Sequence, residues 1–157
     1  MTDQPAITIK HLFISPGHNF FGHHGKPPDK HPMIEVPEVR CLAGRGLEGD
    51  RFLDFKSDYK GQVTFFAAEI YDELCARFNV WDTPPSAFRR NVITRGVDLN
   101  ALIKREFAIQ GVRFLGMAEC SPCAWQDGAF APGTEAALAG RGGLRAKILT
   151  DGVLRVE

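Results

Sequence analysis

Two of the chain's four cysteines, Cys120 and Cys123, lie three residues apart in the segment AECSPCAWQD. Cysteines at this Cys-x-x-Cys spacing form dithiol redox pairs, supply half of a zinc site, or leave one reactive thiolate that meets a soft ligand. A redox pair of the thioredoxin type needs its first cysteine at a helix N-terminus. The downstream segment AWQDGAFAPG contains two glycines and a proline, so we predict no helix of any length there.

The remaining cysteines, Cys41 and Cys75, do not supply the second close pair that a structural zinc site normally uses. Cysteines at the end of a buried strand also serve simply as small apolar side chains. We expect that role for Cys120, whereas Cys123 follows Pro122 and should be the more accessible thiol. On the residues alone, the redox, zinc and structural interpretations of the pair stay open.

A second group of chemistry-bearing side chains lies in the segment FRRNVITRGVDL, which contains Arg89, Arg90, Asn91 and Arg95. Guanidinium groups bind phosphate in bidentate geometry, so a cluster of them at a loop-to-strand junction indicates an anion site. If residues 91–94 form a strand, side-chain alternation sends Arg90 and Asn91 to opposite faces, and not all four can serve one ligand. A solvated face with local salt bridges is the alternative interpretation.

The segment between the first two predicted strands, residues 16–32, is rich in glycine and proline and has no helical or strand period. Loops of this length in a compact domain are often functional, and its interleaved aromatic residues favour a packed lid. It contains His18, His23, His24 and His31. These histidines would bind a divalent metal, polarise a substrate or simply be exposed to solvent.

Composition limits the class of protein. The 157 residues predict a single domain over 1–157, and 44% hydrophobic with 24% charged residues is typical of globular proteins. Nineteen basic and nineteen acidic residues cancel, so no global field attracts nucleic acid or anionic membranes. The start MTDQPAITIK lacks signal-peptide features and no apolar run is long enough for a membrane span. We therefore expect a cytoplasmic protein with mostly reduced thiols.

Periodicity and turn residues predict about seven short strands and two or three short helices. Strands are expected at 6–15, 33–42, 61–66 and 91–94, and on both sides of a tight turn at Gln110 and Gly111. Helical segments are expected at 67–80, at 99–103 after an Asp98 cap, and near 134–143. Asp151 and Gly152 predict a two-residue turn that closes a hairpin over 144–157. Because strands and helices do not alternate regularly, a mainly-β barrel, closed or nearly closed, is predicted rather than a parallel sheet.

Four sequence blocks together resemble the MOSC domain, which is named for the C-terminal region of molybdenum-cofactor sulfurases. In chain order they are GLEGDRF, GQVTFFAAEIYDEL, RRNVITRGVDLNAL and FAIQGVRFLGMAECSPC. The resemblance is to the stand-alone bacterial members of the family, and the order and spacing of the blocks are more specific than any single block. It implies a MOSC or PK β-barrel-like fold with a few short helices.

The resemblance also implies binding of the molybdenum cofactor, molybdopterin. The family cysteine at the end of the long strand matches Cys123, so Cys123 is the candidate catalytic residue and metal ligand. In the amidoxime-reducing relatives basic residues hold the pterin phosphate. The candidate cofactor-binding residues here are Arg89, Arg90, Asn91 and Arg95, with Asp50 from the block GLEGDRF.

Two functions follow from the resemblance. A molybdenum enzyme would reduce N-hydroxylated compounds with electrons from a separate reductase, because the chain has no flavin or haem motif. A sulfur carrier would accept sulfur from a cysteine desulfurase as a persulfide on Cys123, for metal–sulfur cluster or cofactor assembly, without turnover. As a third alternative, a divalent metal binds the histidine loop at His18, His23 or His24. Pyridoxal phosphate is not expected, because no lysine context would hold it, and the sequence does not define an oligomeric state.

Overall fold

The computed structural model describes residues 7–16, 32–122 and 124–157. Within these ranges most of the regular structure is β-strand. The strands are β1 Thr8–Ile14, β2 Ile34–Glu35, β3 Glu38–Leu42, β4 Gly46–Leu47, β5 Val63–Ala67, β6 Val92–Arg95, β7 Glu106–Ile109, β8 Val112–Glu119, β9 Leu144–Ile148 and β10 Gly152–Arg155. The helices are α1 Ala68–Phe78, α2 Ala124–Ala129 and α3 Thr134–Ala137, with 3-10 turns at Pro85–Phe88 and Leu99–Leu102. The prediction of a mainly-β fold with a few short helices is confirmed.

The strands form two sheets. The larger has seven strands in the order β2-β1-β6-β5-β9-β8-β7, and the smaller has the order β10-β3-β4. Within the larger sheet β5 and β6 are parallel and α1 lies between them in the chain, because a parallel pair needs a crossover connection. All other pairs of neighbouring strands in the described residues are antiparallel.

The two sheets are not closed into one continuous barrel in the part of the chain that the structure describes. Single backbone hydrogen bonds connect them instead of a ladder. The Glu157 N–H donates to the Ile9 carbonyl at 3.0 Å, and the Gly44 N–H donates to the Ile148 carbonyl at 2.8 Å. The expectation of a closed or nearly closed barrel therefore holds for the class of fold but not for complete closure.

Each face of the seven-stranded sheet is buried against a different layer. Alternation along β5 puts Val63 and Phe65 on the face that packs against the smaller sheet, in a cluster that includes Val39 and Leu154. The opposite face of the sheet carries Phe66, in a second cluster. That second cluster is covered by α1 and by residues beside α2 and α3, among them Leu74, Phe88, Phe130 and Leu138. Polar residues on this second face therefore lie between the sheet and its covering segments.

The predicted hairpin over residues 144–157 is wrong. β9 belongs to the larger sheet and β10 to the smaller one, where β10 pairs with β3. The Asp151 carboxylate accepts a hydrogen bond from the Ala43 N–H at 2.7 Å, so this residue fixes the chain to the β3–β4 turn. Asp151 and Gly152 thus form a corner between sheets, a long-range role that the local dipeptide pattern does not distinguish from a hairpin turn.

Two local turn predictions are confirmed. Gln110 and Gly111 have φ values of +52° and +83° and close the β7–β8 hairpin, as a type I′ turn requires. The Asp98 carboxylate accepts a hydrogen bond from the Asn100 N–H at 3.1 Å and caps the turn that follows. The predicted strand over 33–42 is instead two strands that lie in different sheets, β2 and β3.

No helix in the described ranges is long and apolar enough to cross a membrane.

Candidate functional site

A buried carboxylate organises the candidate site, where β1 ends and β6 begins. The Asp50 side chain is fully buried and accepts four hydrogen bonds. Two come from the backbone N–H groups of Ser15, at 3.0 Å, and Phe52, at 3.2 Å. The other two come from the side chains of Arg51 and Asn91, each at 3.2 Å. Asp50 therefore joins the end of β1, the 43–62 segment and the entry to β6.

The side chain of Asn91 is fully buried and has polar partners on both its oxygen and its nitrogen. Its Nδ2 donates to the Phe13 carbonyl at 3.1 Å as well as to Asp50, and its Oδ1 accepts from the Thr64 N–H and hydroxyl, both at 3.0 Å. Since both ends of the amide are occupied by the protein, Asn91 holds β1, β5 and β6 in register rather than offering a donor to a ligand.

Arg90 binds three backbone carbonyls. Its Nε donates to Gly142 at 3.1 Å, Nη1 to Phe88 at 3.0 Å, and Nη2 to Cys120 at 3.4 Å. The residue is 8% exposed. Its rigid fork therefore fixes the end of β8, where the cysteine motif begins, to the turn that precedes β9.

Arg51 and Arg89 complete the cluster. Arg51 donates to the Arg89 carbonyl at 3.1 Å and to Asp50, and its side chain is 7% exposed. Arg89 donates to the Ser15 hydroxyl at 3.0 Å, and its guanidinium carbon lies 5.9 Å from the Trp125 ring. The Trp125 indole in turn donates to the Ala87 carbonyl at 2.8 Å. Arg89 itself has a φ of +56° and ends the 3-10 turn that brings it to this position.

The arginine cluster consists of Arg51, Arg89 and Arg90, and the guanidinium groups of Arg51 and Arg89 lie in an environment that opposes positive charge. Burial lowers the pKa of Arg51, the charge of Asp50 counteracts this, and the charge of Arg90 adds to it. Burial and the charge of Arg51 lower the pKa of Arg89 to about 10, again with Asp50 acting in the opposite sense. Guanidinium groups carry a positive charge in proteins, and Asp50 supplies one negative charge against three of them, so the cluster is a buried positive region that an anion would stabilise.

Arg95 does not belong to the cluster. It is exposed at the other end of β6, where its guanidinium binds Asp72 at 2.7 Å, and this hydrogen bond raises its pKa. Of the residues proposed for one anion site, the structure brings together Arg89, Arg90, Asn91 and Asp50, and it places Arg95 on a separate surface.

The described cysteines differ in their surroundings. Cys41 is buried, and burial raises its pKa to about 12, so its thiol is not a nucleophile at neutral pH. Cys75 is also buried, whereas Cys120 is half-buried. Negative charge on the Cys120 sulfur would act to raise the pKa of Arg51. Cys123, His18, His23, His24 and His31 lie outside the described residues. Among the described side chains, no group of three or more histidine, cysteine, aspartate or glutamate residues could hold a metal ion.

The chain on either side of position 123 is closely packed against the cluster. A Cβ atom added to Gly142 would lie 2.2 Å from the Cys120 carbonyl oxygen. A Cβ atom added to Gly143 would lie 2.3 Å from the Phe65 carbonyl oxygen. Only glycine permits this approach of the turn to β5 and β8. Downstream, α2 begins at Ala124, so the prediction that no helix of any length follows the cysteines is wrong. Gly128 lies within this short helix, with open space around its Cα.

An apolar cavity of about 390 Å³ lies at the carboxyl ends of the parallel strands β5 and β6. Its apolar lining is Ala67, Ile70, Val97 and Leu99. Gly143 also lines it, and the Gly143 carbonyl accepts a hydrogen bond from the Cys120 N–H at 2.8 Å. Through this hydrogen bond, the wall of the cavity is in direct contact with the strand end that leads to the cysteine motif.

Three contributors to the cluster were not identified as site residues from the sequence. Arg51 stands in the block GLEGDRF, from which only Asp50 was named as a candidate, and Ser15 and Trp125 are single residues at the ends of predicted segments. The one available signal was the adjacency of Arg51 to Asp50. The contact with Arg89 joins residues that are distant in the sequence, which no local pattern reports.

Comparisons with known proteins agree with this architecture. The chain is similar to the crystal structure of the YuaD protein from Bacillus subtilis, with a TM-score of 0.72 and 15% identity over 98% of this chain and 93% of that one. It is also similar to YiiM from Geobacillus stearothermophilus, with a TM-score of 0.66 and 12% identity over 95% and 71%. For YiiM from Escherichia coli the TM-score is 0.64, with 16% identity over 98% and 66%. At these identities the likeness establishes the fold alone.

Comparison of the sequence with functionally curated proteins finds no significant match. The family model described as MOSC domain matches residues 22–157, which is most of the chain. Its match includes every member of the arginine cluster and the whole cysteine motif. The chain therefore belongs to the MOSC domain family.

Proposed function

We propose that this MOSC protein binds the molybdenum cofactor, with the Cys123 thiolate as a ligand to molybdenum and the arginine cluster as the surrounding positive region. The observation that carries the proposal is the convergence of three guanidinium groups, two with a lowered pKa, beside the strand end that leads to the cysteine motif. Buried positive charge of this kind costs stability unless an anion accompanies it. A phosphate-bearing ligand and a thiolate are both suitable anions.

The residues of the cluster fit the molybdenum cofactor because some of them position the backbone and others can bind its phosphate. Arg90 acts as a positioning residue, because its hydrogen bonds go to the backbone on both sides of the turn. Arg89 and Arg51 are the residues expected to face the anion, since guanidinium forks match phosphate and carboxylate oxygens. Asp50 binds the Arg51 guanidinium, and Asn91 binds Asp50. The hydrogen-bond partners of Asp50 and Asn91 are protein groups, so we expect these two residues to position the arginines and not to contact the anion.

The same positive charge favours the thiolate form of a cysteine placed beside it. Nearby cations lower a thiol pKa, and a thiolate is a soft ligand suited to molybdenum already bound by sulfur. Arg90 holds the Cys120 carbonyl and Arg89 lies against Trp125, so the chain is anchored to the cluster both before and after position 123. These two anchors support the placement of the Cys123 sulfur at the cluster.

When bound, the cofactor would supply two-electron redox chemistry at molybdenum, of the kind that reduces N-hydroxylated compounds. The protein's part would be to bind the substrate and exclude water. The cavity beside Gly143 is of a size that accepts a small organic molecule, and its walls combine aliphatic side chains with Glu69, Asp98 and Arg141. Electrons would come from a separate reductase, which the chain's lack of a flavin or haem motif implies.

The test is metal and phosphorus analysis of the full chain produced in a host that makes the cofactor. We expect about one molybdenum per chain in the wild type, loss of molybdenum in Cys123→Ala, and retention in the matched control Cys120→Ala. Equal molybdenum in the wild type and in Cys123→Ala would exclude the thiolate as a ligand. Phosphorus should follow molybdenum in each variant, since both belong to one group.

A second function, sulfur carriage, is favoured by the half-buried Cys120 thiol three residues from Cys123. A cysteine desulfurase would transfer sulfane sulfur to the Cys123 thiolate, which becomes a persulfide. After incubation with an active desulfurase, intact mass should rise by about 32 Da, and this gain should disappear in Cys123→Ala. An unchanged mass while the desulfurase releases sulfide to other acceptors would argue against the carrier.

A further inference from the structure

A second cleft lies on the outer surface of β8 and β9, beyond the arginine cluster. Its volume is about 450 Å³. Side-chain alternation brings Arg145 and Lys147 of β9 to one face, where Met117 of β8 lies beside them. The segment 55–60 forms the opposite wall and completes the described lining with Phe55, Lys56, Asp58, Tyr59 and Lys60.

The charges in this basic cleft are unbalanced. Four cations, Lys56, Lys60, Arg145 and Lys147, share it with one carboxylate, Asp58, among the described residues that line it. Asp58 binds Lys147 with an Nζ–Oδ1 distance of 2.6 Å. The three remaining cations have no carboxylate within salt-bridge distance in the part of the chain that the structure describes.

The excess of cations is gathered in one concave surface. Elsewhere on the described surface, the arginines at positions 40, 45, 95, 113, 141 and 155 each pair with a carboxylate. The exposed Arg77 and Arg105 have no carboxylate within salt-bridge distance among the described residues, but neither lines this cleft. The chain as a whole has a formal net charge of zero. A concave surface with a net charge of three positive units is therefore a departure from the rest of the protein, and it focuses an attractive field for anions.

Contacts with Tyr59 position Arg145 in the cleft, and Lys56 lies over the same ring. Tyr59 is 8% exposed and packs against Phe52 and Phe55, with ring centroids at 5.5 and 4.9 Å. Its hydroxyl accepts a hydrogen bond from Arg145 Nη2 at 2.9 Å, and the Arg145 guanidinium carbon lies 5.5 Å from the ring centre. The Lys56 ammonium lies 5.3 Å from the same ring. Pre-positioned cations lose less entropy when they bind a ligand than mobile surface lysines do.

We propose that this basic cleft binds the phosphate group of a small organic phosphate. A dianionic phosphate matches the excess positive charge, and Arg145 supplies a fork suited to its oxygens. Phe55 and Met117 give the cleft an apolar wall for the organic part of the ligand. Bare inorganic phosphate has no organic part to place against that wall.

The test is calorimetric titration of the full chain with phenyl phosphate, inorganic phosphate and phenol as probes, with amide NMR shifts to locate binding. Phenyl phosphate should bind one to one, shift the amides of Lys60, Gly61 and Met117, and weaken as sodium chloride is added. It should bind several-fold more tightly than inorganic phosphate, because only phenyl phosphate contacts the apolar wall. Phenol should not bind, because the phosphate supplies the main attraction.

Variants that remove one charge from the cleft test whether positive charge drives the binding of phenyl phosphate. Lys60→Gln should weaken binding of phenyl phosphate about fivefold, and Asp58→Asn should tighten it by a similar factor. Asp58 has a φ of +53°, which asparagine also adopts readily, so that variant is expected to fold normally. Lys10→Gln, which removes an exposed lysine from β1, is the matched control and should leave binding unchanged.

Equal effects of the three charge variants, no binding of phenyl phosphate at ten millimolar, or equal affinity for inorganic phosphate would overturn the proposal. The measurement needs no molybdenum and does not involve Cys123. Its failure is therefore distinct from failure of the proposed function.

Discussion

Arg90 and Arg95 lie at opposite ends of one short strand and have opposite environments. Arg90 is 8% exposed and donates to three backbone carbonyls from different segments of the chain. Arg95 is exposed and binds the Asp72 carboxylate, also at the surface. In the sequence the two residues belong to one basic block, and both were candidates for one anion site.

The difference shows that burial, rather than local composition, decides which arginine takes part in a site. An exposed guanidinium loses little by pairing with a neighbouring carboxylate, and such pairs add little stability. A buried guanidinium must have polar partners, and the structure supplies them from backbone carbonyls and from a small number of side chains. The predictions below test this contrast between the buried cluster and the surface pairs.

The largest effect is expected for Asp50→Asn, because it removes the buried carboxylate from the centre of the cluster. Loss of one partner from a buried charge network should lower the free energy of unfolding by about 3–5 kcal/mol. Urea denaturation measures it. Asp54→Asn, which breaks the exposed pair with Arg45, is the matched control and should leave the transition midpoint unchanged. A similar midpoint for both variants would remove the distinction between the two regions.

The next effect is expected for Arg90→Lys. Lysine keeps the charge but cannot reproduce a fork that reaches three carbonyls, so we expect a loss of about 2 kcal/mol in the free energy of unfolding. Arg95→Lys should have no measurable effect on unfolding, because its pair is exposed. If Arg90→Lys were as stable as the wild type, the positioning role of Arg90 would have to be abandoned.

A smaller effect, of opposite sign, is expected for Arg89→Met. Removal of a buried guanidinium whose pKa is lowered to about 10 should raise the free energy of unfolding. We expect a gain of about 1–2 kcal/mol, less than the full pKa shift implies, since contacts with Ser15 and Trp125 are lost.

The pH dependence of this gain follows from the direction of the shift. The folded state of the wild type releases the Arg89 proton at a lower pH than the unfolded state does. The penalty is therefore fully present below pH 10, and it shrinks as the pH rises from about 10 towards 12.5. Denaturation of both proteins between pH 7 and 10.5 measures it. A variant less stable than the wild type at pH 7 would contradict the account of Arg89 as a residue kept at a cost in stability.

The mildest test compares the cysteines and leaves the fold intact. In native protein, iodoacetamide should modify Cys120 and leave Cys41 unmodified, because Cys41 is buried with its pKa raised to about 12. Peptide mass spectrometry after brief labelling at pH 8 provides the comparison. Labelling of Cys41 at the rate of Cys120 would show that the core opens more readily than its packing indicates.

The parts of the fold that were predicted correctly depend on neighbouring residues. Gln110 with Gly111 closes a hairpin, and Asp98 caps the turn that follows it, because both depend on residues one or two positions away. The hairpin at Asp151 and Gly152 was wrong, because β10 pairs with β3 and Asp151 accepts from Ala43, more than one hundred residues earlier. Local turn chemistry does not decide which of two sheets a strand joins.

In the candidate site, too, local sequence patterns did not predict contacts between residues that are distant in the chain. Of the candidates named from the family blocks, the structure joins Asp50 to Asn91 and, through Arg51, to Arg89. Their role in binding a cofactor stays a prediction. The family blocks did not separate donors committed to backbone carbonyls from those able to face a ligand. That distinction depends on burial and on contacts across strands, for which single-sequence patterns carry no information.

The central claim is that the sulfur of Cys123 and the guanidinium groups of the arginine cluster enclose one molybdenum-bearing anion. X-ray diffraction at the molybdenum absorption edge, on crystals of protein from a cofactor-producing host, tests it directly. We expect one anomalous peak at bonding distance from the Cys123 sulfur, with phosphate density against Arg89 or Arg51. A molybdenum peak bound elsewhere, or a Cys123 sulfur packed in the apolar core away from these arginines, would contradict the account.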